Sequence, residues 1–338
     1  MLSVGFVGAG RMGQLAHLRN YDRIDACEVV ALAEPRERLR ERVAQRYEIP
    51  DTYEDHQALL AGADVDAVVA AQPFQRHRHI VPDILETGTP VFTEKPLAAS
   101  VAGGEEIVAA AEAHDTLHMV GYHKRSDPAM VRAREVTEEW RRTGHAGELR
   151  YVRITMPAGD WLDGAPDPVT TDEEPPEGEM EGPPDDLSPE AADAHGSFIN
   201  FFIHQVNAFR HFFGDYEVTF ADPKLMAVRS HEGVTGALEM DPYTSSDDWQ
   251  ERILVGFDEG YVRVELPAPL AVQEAGTVEI LDDSERVTER PTMPNTAAMR
   301  AQAENFVAAA AGERDPPADS REALADLRVA REYIDRRF

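Results

Sequence analysis

The stretch 2-LSVGFVGAGRMG-13 decides the reading of the N-terminal half. A short apolar, strand-like run leads directly into Gly8, Gly10 and Gly13, spaced G-x-G-x-x-G, and a helix is expected to follow. Each glycine has a separate task in binding a dinucleotide. The first permits a tight turn, the second lets the backbone approach a pyrophosphate, and the third allows close helix–strand packing. The helix N-terminus then faces the phosphates. An acidic residue is expected at the end of the next strand, and Glu34 in ALAEP stands there, placed to accept hydrogen bonds from adenosine ribose hydroxyls. Glu34 would repel a 2′-phosphate and so favours NAD, while Arg36 and Arg38 just beyond it keep NADP open. Arg11 and Met12, inside the glycine motif, join the expected cofactor contacts.

Outward from this motif the first 120 residues alternate strand and helix signals. LSVGFV, EVVALA, DAVVAA, PVFTE and LHMVGY read as short apolar strands, separated by amphipathic segments such as PRERLRERVAQRY and HRHIVPDILETG. That alternation predicts βαβ units and a doubly wound parallel sheet. Near residue 148 the pattern changes to alternating strands (LRYVRITMP, YEVTF, RILVGF, YVRVEL, TVEIL), with a helix over 196–213 and two more at 296–311 and 319–336. The expected fold class is therefore α/β: a Rossmann domain over 1–122 and an α+β domain over 123–338 with a largely antiparallel sheet. Within the second domain, about 158–190 is acidic and rich in Pro and Gly, lacks hydrophobic periodicity, and reads as a solvated or disordered insertion.

Composition narrows the classes of function. No run approaches the roughly 18–20 apolar residues of a membrane span, and the first residues lack the pattern of a signal peptide. One cysteine, Cys27, excludes an internal disulfide framework. These features point to a cytoplasmic protein. The formal net charge is −30, with Lys95, Lys124 and Lys224 the only lysines. The acid is spread through every segment, as expected of a protein adapted to a high-salt cytoplasm. No basic patch marks a nucleic-acid or anionic-membrane partner.

Lys95 sits in TEKPLAAS at the carboxyl end of a predicted parallel strand, where open α/β sheets place their ligands, with Glu94 before it and a proline after it. The helix over 196–213 is crowded with phenylalanine yet carries Asn200, His204, Asn207 and His211 at spacings of four, three and four. That spacing puts the four on one helix face. No HExxH or cysteine set supports a metal, so none is expected.

GAGRMG, Q-P-F-Q-R-H at 72–77, EKPL at 94–97 and GYHKRSDPA at 121–129 together resemble the glucose–fructose oxidoreductase / inositol dehydrogenase / MocA family in order and spacing. The resemblance implies an N-terminal Rossmann domain, a C-terminal domain with an open antiparallel sheet, NAD or NADP as cofactor, a sugar or polyol-like substrate, and a homodimer or homotetramer. It implies that Pro73 and His77 lie near the nicotinamide ribose. Lys124 would bind an oxygen-rich or anionic substrate. His204 matches the family's catalytic histidine, and Asn200 stands where its aspartate partner usually lies. Physically, His204 is suited to take a hydroxyl proton and Lys95 to stabilise developing alkoxide charge. Asn200 can orient but cannot supply charge. Two alternatives stay open: a cofactor-binding sensor without turnover, and NAD-assisted elimination or glycoside hydrolysis without net redox.

Overall fold

The computed structural model describes every residue except 158, 163–164, 175–176 and 242–247. It divides into two units: Met1–Tyr122 with Pro166–Asn200 and Gln302–Arg328, and His123–Ala165 with Phe201–Ala301 and Val329–Phe338. The expected second domain was continuous over 123–338. Instead, 166–200 and 302–328 cluster with the first unit.

The first unit is built on six strands, β1 (Leu2–Val7), β2 (Cys27–Ala33), β3 (Asp51–Tyr53), β4 (Ala67–Ala70), β5 (Val91–Glu94) and β6 (His118–Gly121). Their order is β3-β2-β1-β4-β5-β6, and all pairs are parallel. The order reverses between β1 and β4, the switch point at which such sheets bind ligands. The central strands are apolar on both faces because helices cover both. Val4, Phe6, Val69 and Phe92 are fully buried in a core with Tyr21, Leu39 and Phe306.

The helix after β1 starts as a π segment, Gly13–Leu18, and continues as α1 (Arg19–Tyr21). Then follow α2 (Glu37–Arg46), α3 (His56–Gly62), α4 (His77–Glu86) and α5 (Val101–Ala113). Asp55 and Ser100 cap α3 and α5 by accepting from Ala58 N and Gly103 N. α6 (Pro128–Thr143) begins with an Asp127 cap and a first-turn proline and ends at Gly144, whose φ is 71°.

The second unit carries β7 (Leu149–Thr155), β8 (Tyr216–Asp222), β9 (Leu225–Ser230), β10 (Thr235–Glu239), β11 (Glu251–Phe257), β12 (Gly260–Leu266), β13 (Thr277–Asp282) and β14 (Val287–Glu289). The sheet order is β14-β13-β12-β11-β7-β10-β9-β8, antiparallel except for β10 with β7. Burial alternates along the strands, as in a sheet covered on one face. Val152, Ile154, Ile253 and Val264 are fully or almost fully buried, and so are Phe209 and Phe212 of α8 (Ile203–Phe213). The chain closes with α9 (Ala298–Ala310) and α10 (Ser320–Arg337). No helix among the described residues is long and apolar enough to cross a membrane.

Two expectations change. The helix over 196–213 is two helices, α7 (Pro189–Phe201) and α8, broken at Phe202, whose φ of −112° and ψ of 0° are far from regular helical values. Asn200 therefore does not share a helix face with His204, Asn207 and His211. The insertion, of which 158, 163–164 and 175–176 lie outside the described residues, is not simply solvated. Val169 packs against the core of the first unit, and Glu181 is 8% exposed.

Candidate functional site

The three glycines of the first motif divide their tasks as the chemistry requires. Gly8 has φ of 103°, and a Cβ there would lie 2.8 Å from the Ala71 carbonyl oxygen. Gly10 faces open space, the room a pyrophosphate needs against bare backbone. At Gly13 a Cβ would come within 2.6 Å of the Gly8 carbonyl oxygen, so only glycine lets the helix start this close to the turn. Arg11 is exposed and Met12 half-buried beside this opening. These residues fit a dinucleotide phosphate on their own geometry.

Glu34 stands at the end of β2 as expected, but it is not waiting for a ribose. It is 2% exposed and accepts from Ala9 N at 2.9 Å and from Arg36 N, Nε and Nη2 at 3.2, 2.7 and 3.0 Å. Four donors fill a carboxylate's acceptor sites, so a ribose hydroxyl reaches Glu34 only after Arg36 gives way.

β5 delivers Glu94 and Lys95 at the carboxyl edge of the sheet, and the Lys95–Pro96 bond is cis. Glu94 turns inward. Its Oε1 lies 2.9 Å from Nε2 of buried His17, an ion-pair distance but off-line for a hydrogen bond, and its Oε2 accepts from Lys95 N at 3.2 Å. Burial works to raise the Glu94 pKa, but His17 and the Lys95 charge outweigh it and hold the carboxyl below its ordinary value. Lys95 is half-buried and donates from Nζ to the Asn200 carbonyl oxygen at 2.6 Å. Asn200 itself is exposed, so the first unit joins these two residues through the main chain, not through the Asn200 amide.

Pro73 is exposed ahead of a short 3-10 turn, Phe74–Arg76. His77 does not face a ligand. It is fully buried, with Nδ1 3.1 Å from the Leu97 carbonyl oxygen and Nε2 3.3 Å from that of Gln72. Burial keeps its pKa below the ordinary value. The imidazole tacks the loop after β4 to the loop after β5 and so holds the segment that carries Lys95.

In the second unit, His204 at the start of α8 is 8% exposed and meets the His123 ring edge-on, centroids 4.4 Å apart. Asn207 is buried and accepts from Arg125 Nε at 2.6 Å. Burial and then the charges of Arg125 and Arg134 hold the His211 pKa well below its usual range. Lys124 departs from its expected role. It is 5% exposed, pairs through Nζ with Glu251 and lies 5.5 Å from the Trp249 ring centroid. Glu251 also accepts from Gln205 Nε2 at 2.6 Å. His123, Lys124 and Asp127 line a shallow cleft with Leu266 and Pro267, but the Lys124 charge is already matched.

Sequence reasoning missed Gln14, which is buried and bonds both to the Ala9 carbonyl and to the main chain of Val169. It also missed Glu173, Glu181 and Glu251. Acidic composition hid the first two, because nothing separates a docked glutamate from its solvated neighbours in such a run. Glu251 gives no signal until its partner 127 residues away is known.

A six-stranded parallel sheet with a glycine loop at its switch point defines a dinucleotide-binding protein. Residues 2–122 match the model of the oxidoreductase family with an NAD-binding Rossmann fold, that of glucose–fructose oxidoreductase, inositol dehydrogenase and MocA. An inositol 2-dehydrogenase of Saccharopolyspora erythraea is 36% identical over 149 residues, 44% of this chain and 42% of that protein. The chain spans less than half the length of the curated relatives it matches. A dehydrogenase from Chromobacterium violaceum shares the fold with a TM-score of 0.74 at 18% identity, over 100% of this chain and 95% of that one. So does an oxidoreductase from Agrobacterium radiobacter solved with NAD+, L-tartaric acid and magnesium (TM-score 0.71, 13% identity, 98% of this chain and 94% of that one).

Proposed function

We propose that the protein is an NAD(P)-dependent oxidoreductase that moves a hydride between a carbinol carbon of a sugar or polyol-like substrate and nicotinamide. The observation that carries this reading is Lys95 at the carboxyl end of β5, on the same edge of the sheet as the open Gly10 turn after β1. The matched inositol 2-dehydrogenase supports the substrate class. When bound, nicotinamide supplies the hydride acceptor. The chain's own residues handle the proton and the oxygen. The Lys95 ammonium, one of whose three donors goes to the Asn200 carbonyl, hydrogen-bonds the substrate oxygen and stabilises alkoxide character. His204 takes the hydroxyl proton. His123 beside it restricts the ring's orientation, the work that a carboxylate partner does elsewhere. A homo-oligomer would use the uncovered face of the eight-stranded sheet, where Tyr151 is exposed.

A second reading, cofactor binding without turnover, is favoured by the absence of a carboxylate at position 200. Both are tested in molar KCl by titrating NADH and NADPH and then screening polyols, sugars and sugar acids for nicotinamide absorbance change. Turnover that falls about 10²–10⁴-fold in His204→Ala and also falls in Lys95→Ala supports the dehydrogenase. Binding with no turnover across the screen replaces it with the second reading.

A further inference from the structure

The described residues of 166–187 run along the first unit as a strap fastened at several places. Gln14, just past the glycine turn, donates to the Val169 carbonyl oxygen at 3.0 Å and accepts from its N–H at 2.8 Å. Glu181 accepts from Ala99 N at 2.8 Å and from the Ser100 hydroxyl at the start of α5. Between them, Glu173 takes the start of α2. Its two oxygens accept from Arg38 N at 3.0 Å and Leu39 N at 2.9 Å, and Thr171 Oγ1 donates to it at 2.9 Å. Asp172 pairs with Arg38 Nη2 at 2.7 Å.

The start of α2 lies three residues beyond Glu34, at the end of the strand that meets the adenosine ribose in a dinucleotide fold. A 2′-phosphate there would seek backbone N–H groups with no partner inside the helix, together with arginine. This chain has both, and its own carboxylates hold them: Arg38 and the two N–H groups by Asp172 and Glu173, Arg36 by Glu34. We propose that Asp172 and Glu173 are specificity residues that occupy the place of a 2′-phosphate and make the protein select NAD(H) over NADP(H). This rests on the reading of the first unit as a nicotinamide dinucleotide site. A ribose carrying two hydroxyls has only the Arg36 side chain to displace from Glu34, whereas a phosphate of nearly two negative charges must also expel a carboxylate held by three donors. Docking of the strap does not explain the pair, because Gln14 and Glu181 fasten it on either side. Desolvation works to raise the Glu173 pKa, but the N–H groups, the Thr171 hydroxyl and the Arg38 charge together outweigh it, so Glu173 stays ionised at neutral pH.

The test titrates NADH and NADPH by nicotinamide fluorescence, in molar KCl, against the wild type, Asp172→Asn and the double variant Asp172→Asn/Glu173→Gln. Both changes are near-isosteric, and Asp172 is exposed with Arg38 as its described partner, so the first variant removes charge without undoing the strap. The ratio of NADPH to NADH affinity should rise about threefold in Asp172→Asn and about tenfold in the double variant, the latter equivalent to one lost repulsion of ordinary size. An unchanged ratio, whether both affinities fall together or neither moves, overturns the proposal and leaves the strap structural. A wild type that already prefers NADPH overturns it as well. A wild type that binds neither nucleotide removes the dinucleotide reading itself, and this inference with it.

Discussion

Lys124 and Glu251 are withdrawn from water at 5% and 1% exposure, and each carries the other's counter-charge. Removing one partner of such a pair strands the other's charge, which costs about 3–5 kcal/mol, far more than the pair contributes over an apolar substitute. Lys124→Met should therefore lower the stability of the protein by about that amount in denaturant unfolding. Lys124→Met with Glu251→Met should recover most of it, with Gln205 losing its acceptor. A lysine serving a ligand would behave in the opposite way, raising KM while leaving the unfolding midpoint in place. His118 poses a different residue-level question. It is 2% exposed, bonds Thr93 Oγ1 at 2.9 Å, and burial, helped by nearby His77, lowers its pKa from 6.5 to about 3. The unfolded chain binds a proton between those two values and the folded chain does not. The stability due to neutral His118 is thus full above about pH 6.5 and is lost as pH falls toward 3, by up to about 1.4 kcal/mol per pH unit. His118→Gln should flatten the acid limb of stability against pH between 6.5 and 4. An unchanged slope would show that the ring accepts a proton in the folded state.

At the scale of elements, the strap offers the sharpest test. Gly103, in the first turn of α5, lies against the Glu181 carboxylate, and a Cβ there would clash with it. The obstructing atom is the end of a flexible side chain, so Gly103→Ala should expel Glu181 from Ala99 N and the Ser100 hydroxyl and leave α5 folded. The expected cost is about 2 kcal/mol, the size of a charged hydrogen bond. Limited proteolysis between 166 and 187 should quicken while the sheet of the first unit stays protected. How much could be read beforehand follows the same physics. β1, β2, β4, β5 and β6 were legible because buried parallel strands are continuous apolar runs, and the glycine loop because each glycine has a steric duty. β9 and β10 were not, since Leu225–Ser230 and Thr235–Glu239 carry a single β-branched residue each, Val228 and Thr235. The break at Phe202 carries no proline or glycine, so local sequence reads straight through it. Lys95 was singled out from its place at a strand end and His204 from the helix pattern and the resemblance. The inward turn of His77, the filled acceptor sites of Glu34 and the matched charge of Lys124 depend on partners that only tertiary structure supplies.

Across the whole molecule, charge outweighs every other peculiarity of the chain. With 63 acidic residues against 33 basic ones, pairing every arginine and lysine still leaves 63 − 33 = 30 carboxylates unmatched. Salt then acts in two directions. It weakens exposed pairs such as Arg78–Glu106 and Arg328–Glu105, but such pairs contribute only about 0–1 kcal/mol each. It also screens repulsion among the unmatched carboxylates, which is summed over many pairs and reaches farther than a contact. In 0.1 M salt the Debye length is about 10 Å, so neighbouring carboxylates on the surface still repel; in 1 M salt it is about 3 Å, and only pairs in contact interact strongly. The long-range repulsion is thus removed while close ion pairs largely survive, and the net effect is stabilisation. Melting followed by circular dichroism should give a Tm that rises steeply from 0.05 to 2 M KCl. Sucrose at matched osmolality strengthens burial without screening charge, so it should restore only a minor part of the loss in dilute buffer. A Tm that is flat across the KCl series, or restored equally by sucrose, would show that the acidic surface is not a salt adaptation and that packing alone holds the fold.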